Sequence, residues 1–234
     1  MSLHFNLLTL FPEMFPGSLG SSLAGRALER GDWSYRCTDI REYGEGVHKS
    51  VDDTPYGGGA GMVMKADVLE KALLASKDEG ARRIYLSPRG KVLNQAFVKE
   101  LSAAPALTLL CGRYEGVDQR FLEAHDFEEI SIGDYVLSGG EPAALILMDS
   151  CIRLLPGVMG NVDTADNESF GAGADGLLEY PHYTRPSMWV DAQGIEHSVP
   201  EILQSGNHAK IDEWRKAQSL EITRMRRPDL LQKD

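Results

Sequence analysis

The sequence predicts an α/β fold built on a largely parallel sheet. Three observations carry this. Short apolar runs alternate with helix-like segments over the first two thirds of the chain. One run, ALTLLC (106–111), is apolar apart from Thr108, the pattern of a strand covered on both faces. Glycine-bearing connections follow the strand-like runs.

The elements follow in order. Residues 3–11 read as a buried first strand, because the apolar start has neither a basic leader nor a small-residue cleavage site. A helix is expected over 18–30 and a second strand over 34–40. The stretch 41–61 is polar and glycine-rich. Residues 65–76 have helical spacing, with Leu69, Ala72 and Leu73 on one face. RIYLS (83–87) is strand-like and stops at Pro88, and 92–102 is helical. ALTLLC is the next strand, 116–125 a short helix, and the EISI run ending at Ile132 another strand. A helix is expected over 142–155.

Ligands of such sheets sit beyond the carboxyl ends of the strands. The connections 86–90, 112–116 and 133–140 fall at such ends, and their convergence on one pocket is expected. IGDYVLSGGE (132–141) is the most informative of them, since glycines let backbone amides and carbonyls approach a ligand. It matches neither G-x-G-x-x-G nor G-x-x-x-x-G-K-[ST]. CGRYEG (111–116) reads equally as the edge of a functional cleft or as a salt-bridged surface turn. DDTPYGGGAGM (52–62) reads as an anion-binding nest or a flexible loop, and HKS (48–50) adds donors beside it. YPHYTRP (180–186) reads as a stacking and phosphate site or as a rigid packed linker.

After residue 157 the pattern changes. Residues 1–160 form one expected domain, 161–176 a flexible linker, and 177–234 a small, mostly helical domain. A helix near 208–224 would place Ile211, Trp214, Ala217 and Ile222 on its apolar face.

Composition excludes several classes. The three cysteines make no C-x-x-C pair, so reduced, packed thiols are expected. The six histidines lack metal-ligand spacing, and no G-x-S-x-G is present. No apolar run approaches the length of a membrane span, so a soluble cytoplasmic protein is expected. The net charge of −11 does not advertise a nucleic-acid binder, but the last segment runs against it with Lys210, Arg215, Lys216, Arg224, Arg226, Arg227 and Lys233.

DDTPYGGGAGM, YLSPRG (85–90), CGRYEG, IGDYVLSGGE, PHYTRP (181–186) and LQSGNHAKIDEWR (203–215), in this order, closely resemble the bacterial tRNA (guanine-N1)-methyltransferase family. The resemblance covers essentially the whole chain. It implies a SPOUT-type parallel sheet with a deep trefoil knot, a homodimer, and a tRNA site shared between subunits. It also implies methylation of the guanine 3′ of the anticodon, position 37. S-adenosylmethionine would be held in the knot by Tyr85, Leu86, Ser87 and Pro88, by Gly112, Tyr114, Glu115 and Gly116, and by Ile132, Gly133, Asp134, Tyr135, Val136, Leu137, Gly139 and Gly140.

The family's catalytic pair maps onto Arg153 and Glu168. Arg153 would stabilise charge on guanine O6; a cation at a helix end is its structural counterpart. The family base is usually an aspartate in D-S-F, whereas this chain has Glu168 in NESF (167–170). Asp166 and Asp175 are rival bases, and Glu168 stands ahead of them on motif register. The family also brings a requirement for Mg²⁺, for which the sequence offers Glu115 and other acids but no dedicated metal site. The tRNA anticodon stem-loop would be gripped by the linker and the basic helix. A non-catalytic RNA-binding protein of this fold and a SPOUT methyltransferase for another nucleotide are the competing readings. A nicotinamide oxidoreductase lacks its fingerprint.

Overall fold

The computed structural model describes residues 2–77, 79–159, 168–171 and 176–231. The chain divides into two compact units, Met1–Gly160 and Asn161–Asp234.

The first unit is built on five parallel strands: β1 (Leu3–Thr9), β2 (Trp33–Asp39), β5 (Arg82–Val92), β6 (Ala106–Leu110) and β7 (Glu128–Ser131). Their order in the sheet is β2-β1-β6-β5-β7. Successive side chains of β1 enter opposite cores, as a strand's period of two requires. Phe5 and Leu7 pack with α1 (Ser22–Arg30), α3 (Gln95–Ser102) and α5 (Glu141–Ile152), while Leu8 packs with α2 (Ala66–Ser76) and α4 (Gln119–Ala124). Both faces are therefore covered, which explains why β1 and β6 are rich in buried leucines, with the polar Asn6, Thr9 and Thr108 buried among them. Two short strands, β3 (Asp52–Asp53) and β4 (Val63–Met64), pair antiparallel around the glycine-rich loop.

Several boundaries differ from expectation for local reasons. β5 does not stop at Pro88. It pairs with β7 through Leu86↔Ile130, bulges, and resumes at Lys91↔Ile130. Proline cannot donate to the ladder, so the chain leaves the sheet there rather than ending the strand. Gly90 permits the return, because a Cβ at that position would lie 2.3 Å from the Ile130 nitrogen. Val92 is consequently a strand residue, and α3 begins only after Asn94, whose Oδ1 accepts from the Phe97 N–H at 2.9 Å. α4 likewise starts after Asp118, which accepts from the Arg120 N–H at 3.0 Å. The segment expected as one helix over 18–30 is a 3₁₀ turn, Gly17–Gly20, followed by α1, with Ser21 extended between them. α5 ends at Ile152 rather than at residue 155.

The second unit contains an antiparallel pair, β8 (Met188–Val190) with β9 (Glu196–Ser198), a short helix α6 (Glu201–Gln204), and the long helix α7 (His208–Arg226). The packed row of α7 is not the expected apolar one: Ile211, Ser219 and Thr223 are buried, whereas Ala217 is exposed. The Thr223 hydroxyl tolerates burial because Oγ1 donates to the Ser219 carbonyl at 2.7 Å and accepts from the Leu178 N–H at 2.9 Å.

Candidate active site at the carboxyl edge of the sheet

β6, β5 and β7 are neighbours, so their carboxyl ends open side by side. The β5 bulge and the connections after β6 and β7 surround one cavity of about 220 Å³. Tyr85, Leu86, Ser87 and Pro88 line it from β5, and Gly112, Tyr114, Glu115 and Gly116 from the second connection. Ile132, Gly133, Tyr135, Val136, Leu137, Gly139 and Gly140 complete it from the third. Asp134 is the exception: it is exposed and contributes nothing to the lining. The turn is tight here, with the Tyr135 N–H donating to the Gly133 carbonyl at 2.9 Å and the Tyr135 hydroxyl to that of Ile132 at 3.2 Å.

The third connection lies directly against the second. The Gly140 N–H donates to the Gly112 carbonyl at 2.9 Å, and a Cβ on Gly140 would stand 2.7 Å from the Cys111 Cα. Only glycine allows two backbones to come this close.

Arg113, Ser138, Ile130, Ser131 and Ala143 also line the cavity; the first two lie on the connections expected to converge there, though outside the donor-binding set the resemblance implied, and the last three had no expected place. Arg113 combines the two readings of CGRYEG. It is salt-bridged, but to Glu141, which has no solvent exposure, and it stands on the cavity wall. The signal in the sequence was the acid that closes IGDYVLSGGE, an unusual neighbour for a glycine pair leading into an apolar helix.

Arg153 is the C-cap of α5; it is half-buried, and its N–H donates to the Asp149 carbonyl at 3.1 Å. It is not among the lining residues. Glu168 is half-buried and belongs to the second unit, in a turn held by the backbone. Its carbonyl accepts from the Gly171 N–H at 2.9 Å, and Ser169 Oγ accepts from the Glu179 N–H at 2.9 Å. Asp166 and Asp175 lie outside the described residues.

A family model described as tRNA (Guanine-1)-methyltransferase TrmD matches residues 3–233. The chain belongs to this family. Its curated relatives are similar along their whole length. The tRNA (guanine-N(1)-)-methyltransferase of Rhodospirillum rubrum is 58% identical over 98% of this chain and 93% of its own. Those of Mesorhizobium japonicum and Agrobacterium fabrum are each 56% identical, over 99% and 100% of this chain respectively and 97% of their own lengths.

In this TrmD-family chain the other flagged groups take quieter roles. Burial pushes the thiols of Cys37 and Cys151 up to about 11 and about 12, and that of buried Cys111 well above its ordinary value. All three are free, and all are protonated at neutral pH. Burial also raises the Tyr85 phenol, so its hydroxyl stays protonated beside Gly112.

The glycine-rich loop borders a separate groove of about 1280 Å³, lined also by Lys65, Asp118, Arg120 and His125. Tyr56 at its tip is 99% exposed. YPHYTRP packs on α7: the Arg215 guanidinium stacks over the Tyr180 ring at 5.0 Å, and the Tyr183 and Trp214 rings lie 6.3 Å apart. Among the described residues, no three His, Cys, Asp or Glu side chains gather as a metal site, and no helix is long and apolar enough to cross a membrane.

Proposed function

We propose that the protein transfers a methyl group from S-adenosylmethionine to N1 of the guanine at position 37, 3′ of the anticodon, in tRNA. One observation carries the reading. In a chain of the tRNA (guanine-1)-methyltransferase family, three strand-end connections line a single cavity with every residue of the donor-binding set except Asp134.

The cavity suits a nucleoside. Leu86, Ile132, Val136 and Leu137 offer apolar surface, and the glycine-bearing connections bring peptide groups to the same wall. Val136 is 84% exposed, apolar area that a bound purine would cover. The close backbone contact at Gly140 supports the knotted crossing of the two connections.

S-adenosylmethionine supplies an electrophilic methyl group on a sulfonium. Neutral guanine N1 carries a proton and is a poor nucleophile, so the protein's work lies on the guanine. Glu168 takes the N1 proton. Arg153 presents its guanidinium to O6, where negative charge gathers as that proton leaves. Mg²⁺ needs only one or two carboxylates besides substrate phosphates and water, and among the described residues no three His, Cys, Asp or Glu side chains gather to hold it alone.

The anticodon stem-loop is gripped by the second unit, with Lys210, Arg224, Arg226 and Arg227 exposed on α7 and at its end and Arg215 stacked on Tyr180. The enzyme acts in the cytoplasm as a homodimer. Ile146, the exposed large apolar side chain on α5, supports an interface there.

The deciding experiment incubates the protein with tRNA and labelled S-adenosylmethionine and maps the modified base. N1-methylguanine at position 37 is expected. Methylation elsewhere would reassign the nucleotide, and tight tRNA binding without transfer would make this a binding protein. Filter binding across salt gives a further check. With about four phosphate contacts, tRNA affinity should fall roughly 50-fold between 50 and 200 mM salt. A flat response would remove the basic helix from the interface.

A further inference from the structure

Glu141 is a fully buried carboxylate in the first turn of α5. Both oxygens are occupied. Oε1 accepts from the Thr9 hydroxyl at 2.8 Å, and Oε2 faces Nε and Nη2 of Arg113 at 2.9 and 2.8 Å. The same guanidinium donates through Nη1 to the Ser138 carbonyl at 3.1 Å, and it lies 4.3 Å above the Phe11 ring. Thr9 Oγ1 in turn accepts from the Phe11 N–H at 3.0 Å. One ion pair therefore ties the end of β1, the connection after β6, the tail of the 132–140 connection and the start of α5.

The geometry points to Arg113 as a positioning residue for the methyl donor, acting through Ser138 and Glu141 to fix the cavity wall formed by residues 133–140. This rests on the cavity being the donor pocket. The guanidinium is turned into the protein, toward Glu141, Ser138 and the Met14 sulfur at 3.7 Å. Its side chain is only 18% exposed. A planar fork is required, because it fixes two acceptor directions at once, whereas an ammonium fixes none. The pair is buried, so the wall cannot drift without exposing or orphaning a charge. That rigidity matters because a shift of about 1 Å in a binding wall is enough to cost a ligand much of its affinity.

The test is calorimetric titration of the full chain with S-adenosylhomocysteine. Arg113→Lys keeps the charge and loses the fork. It should weaken binding about tenfold, with the single-turnover rate at saturating donor within about threefold of wild type. Glu141→Gln should do the same. The double variant should be no weaker than the worse single one, because both changes break one clamp. Additive losses would mean that Arg113 contacts the ligand itself, and wild-type affinity in Arg113→Lys would also overturn the proposal.

Should Arg113→Lys fail to fold, Thr9→Val carries the test. It releases Oε1 of Glu141 and leaves Arg113 in place; weakened binding supports the clamp, and unchanged binding overturns it. Val136→Trp separates this from failure of the pocket reading. If that cavity-filling variant still binds S-adenosylhomocysteine normally, the donor lies elsewhere and the clamp has no role in holding it.

Discussion

Glu168→Ala is expected to abolish methyl transfer, slowing the single-turnover step by about 10²- to 10⁴-fold, while S-adenosylhomocysteine affinity stays near wild type. The turn that presents Glu168 is held by main-chain groups, from Gly171 to the Glu168 carbonyl and from Glu179 to Ser169 Oγ. Truncating the side chain leaves those bonds in place, and an unchanged melting temperature beside a lost rate would report chemistry rather than unfolding. Glu168→Asp keeps a carboxylate on the same turn and should retain most of the rate. Asp166→Ala and Asp175→Ala should stay within a few-fold of wild type. A full single-turnover rate in Glu168→Ala would remove it as the base and turn attention to those two aspartates.

The second large effect is expected at Arg153. Arg153→Ala should lower the chemical step by about 10²- to 10³-fold, the scale of losing one donor aimed at a developing oxyanion. Arg153→Lys should recover only part of it, since an ammonium lacks the directed fork. Donor affinity should not move, because Arg153 is absent from the cavity lining. The rival role is a cation at the C-terminus of α5, worth about 0.3–1 kcal/mol. Under that role Arg153→Ala would shift the melting temperature by a few degrees and leave the rate intact. Rapid-quench kinetics alongside calorimetry distinguishes the two. A defect confined to stability or to donor binding would count against contact with O6.

The parts legible in the sequence were those governed by local rules. β1 and β6 announce themselves because two covered faces favour short leucine-rich runs, and the glycine-bearing connections could be assigned to strand ends. The order β2-β1-β6-β5-β7 could not be read, since apolar runs carry no record of which neighbour they pair with. Pro88 misled because a proline that ends a ladder and one that starts a bulge look identical without the partner strand. Glu141 was hidden for a related reason. An acid at a helix start is ordinarily solvated and favoured by the helix dipole, and its burial depends on Arg113, which is remote in sequence. In α7 a row counted by apolarity missed Ser219 and Thr223, the latter buried with its hydroxyl's hydrogen bonds satisfied.

The position of β1 has a consequence for how the chain is made. Its first residues leave the ribosome early and find β2 soon afterwards, through Leu3↔Trp33. Its other edge waits for β6, since His4 pairs with Ala106. At synthesis rates of about 5–20 residues per second, that edge stays unpaired for on the order of 5–20 s. During this interval a strand carrying Leu3, Phe5, Leu7 and Leu8 offers an open template to any neighbouring nascent chain. The pocket is assembled later still, when the segment around Gly140 comes to rest against Cys111. Birth order thus sets the risk: the oldest strand waits longest for its second partner, and the cavity wall at Gly140 is made only after every strand of the first unit.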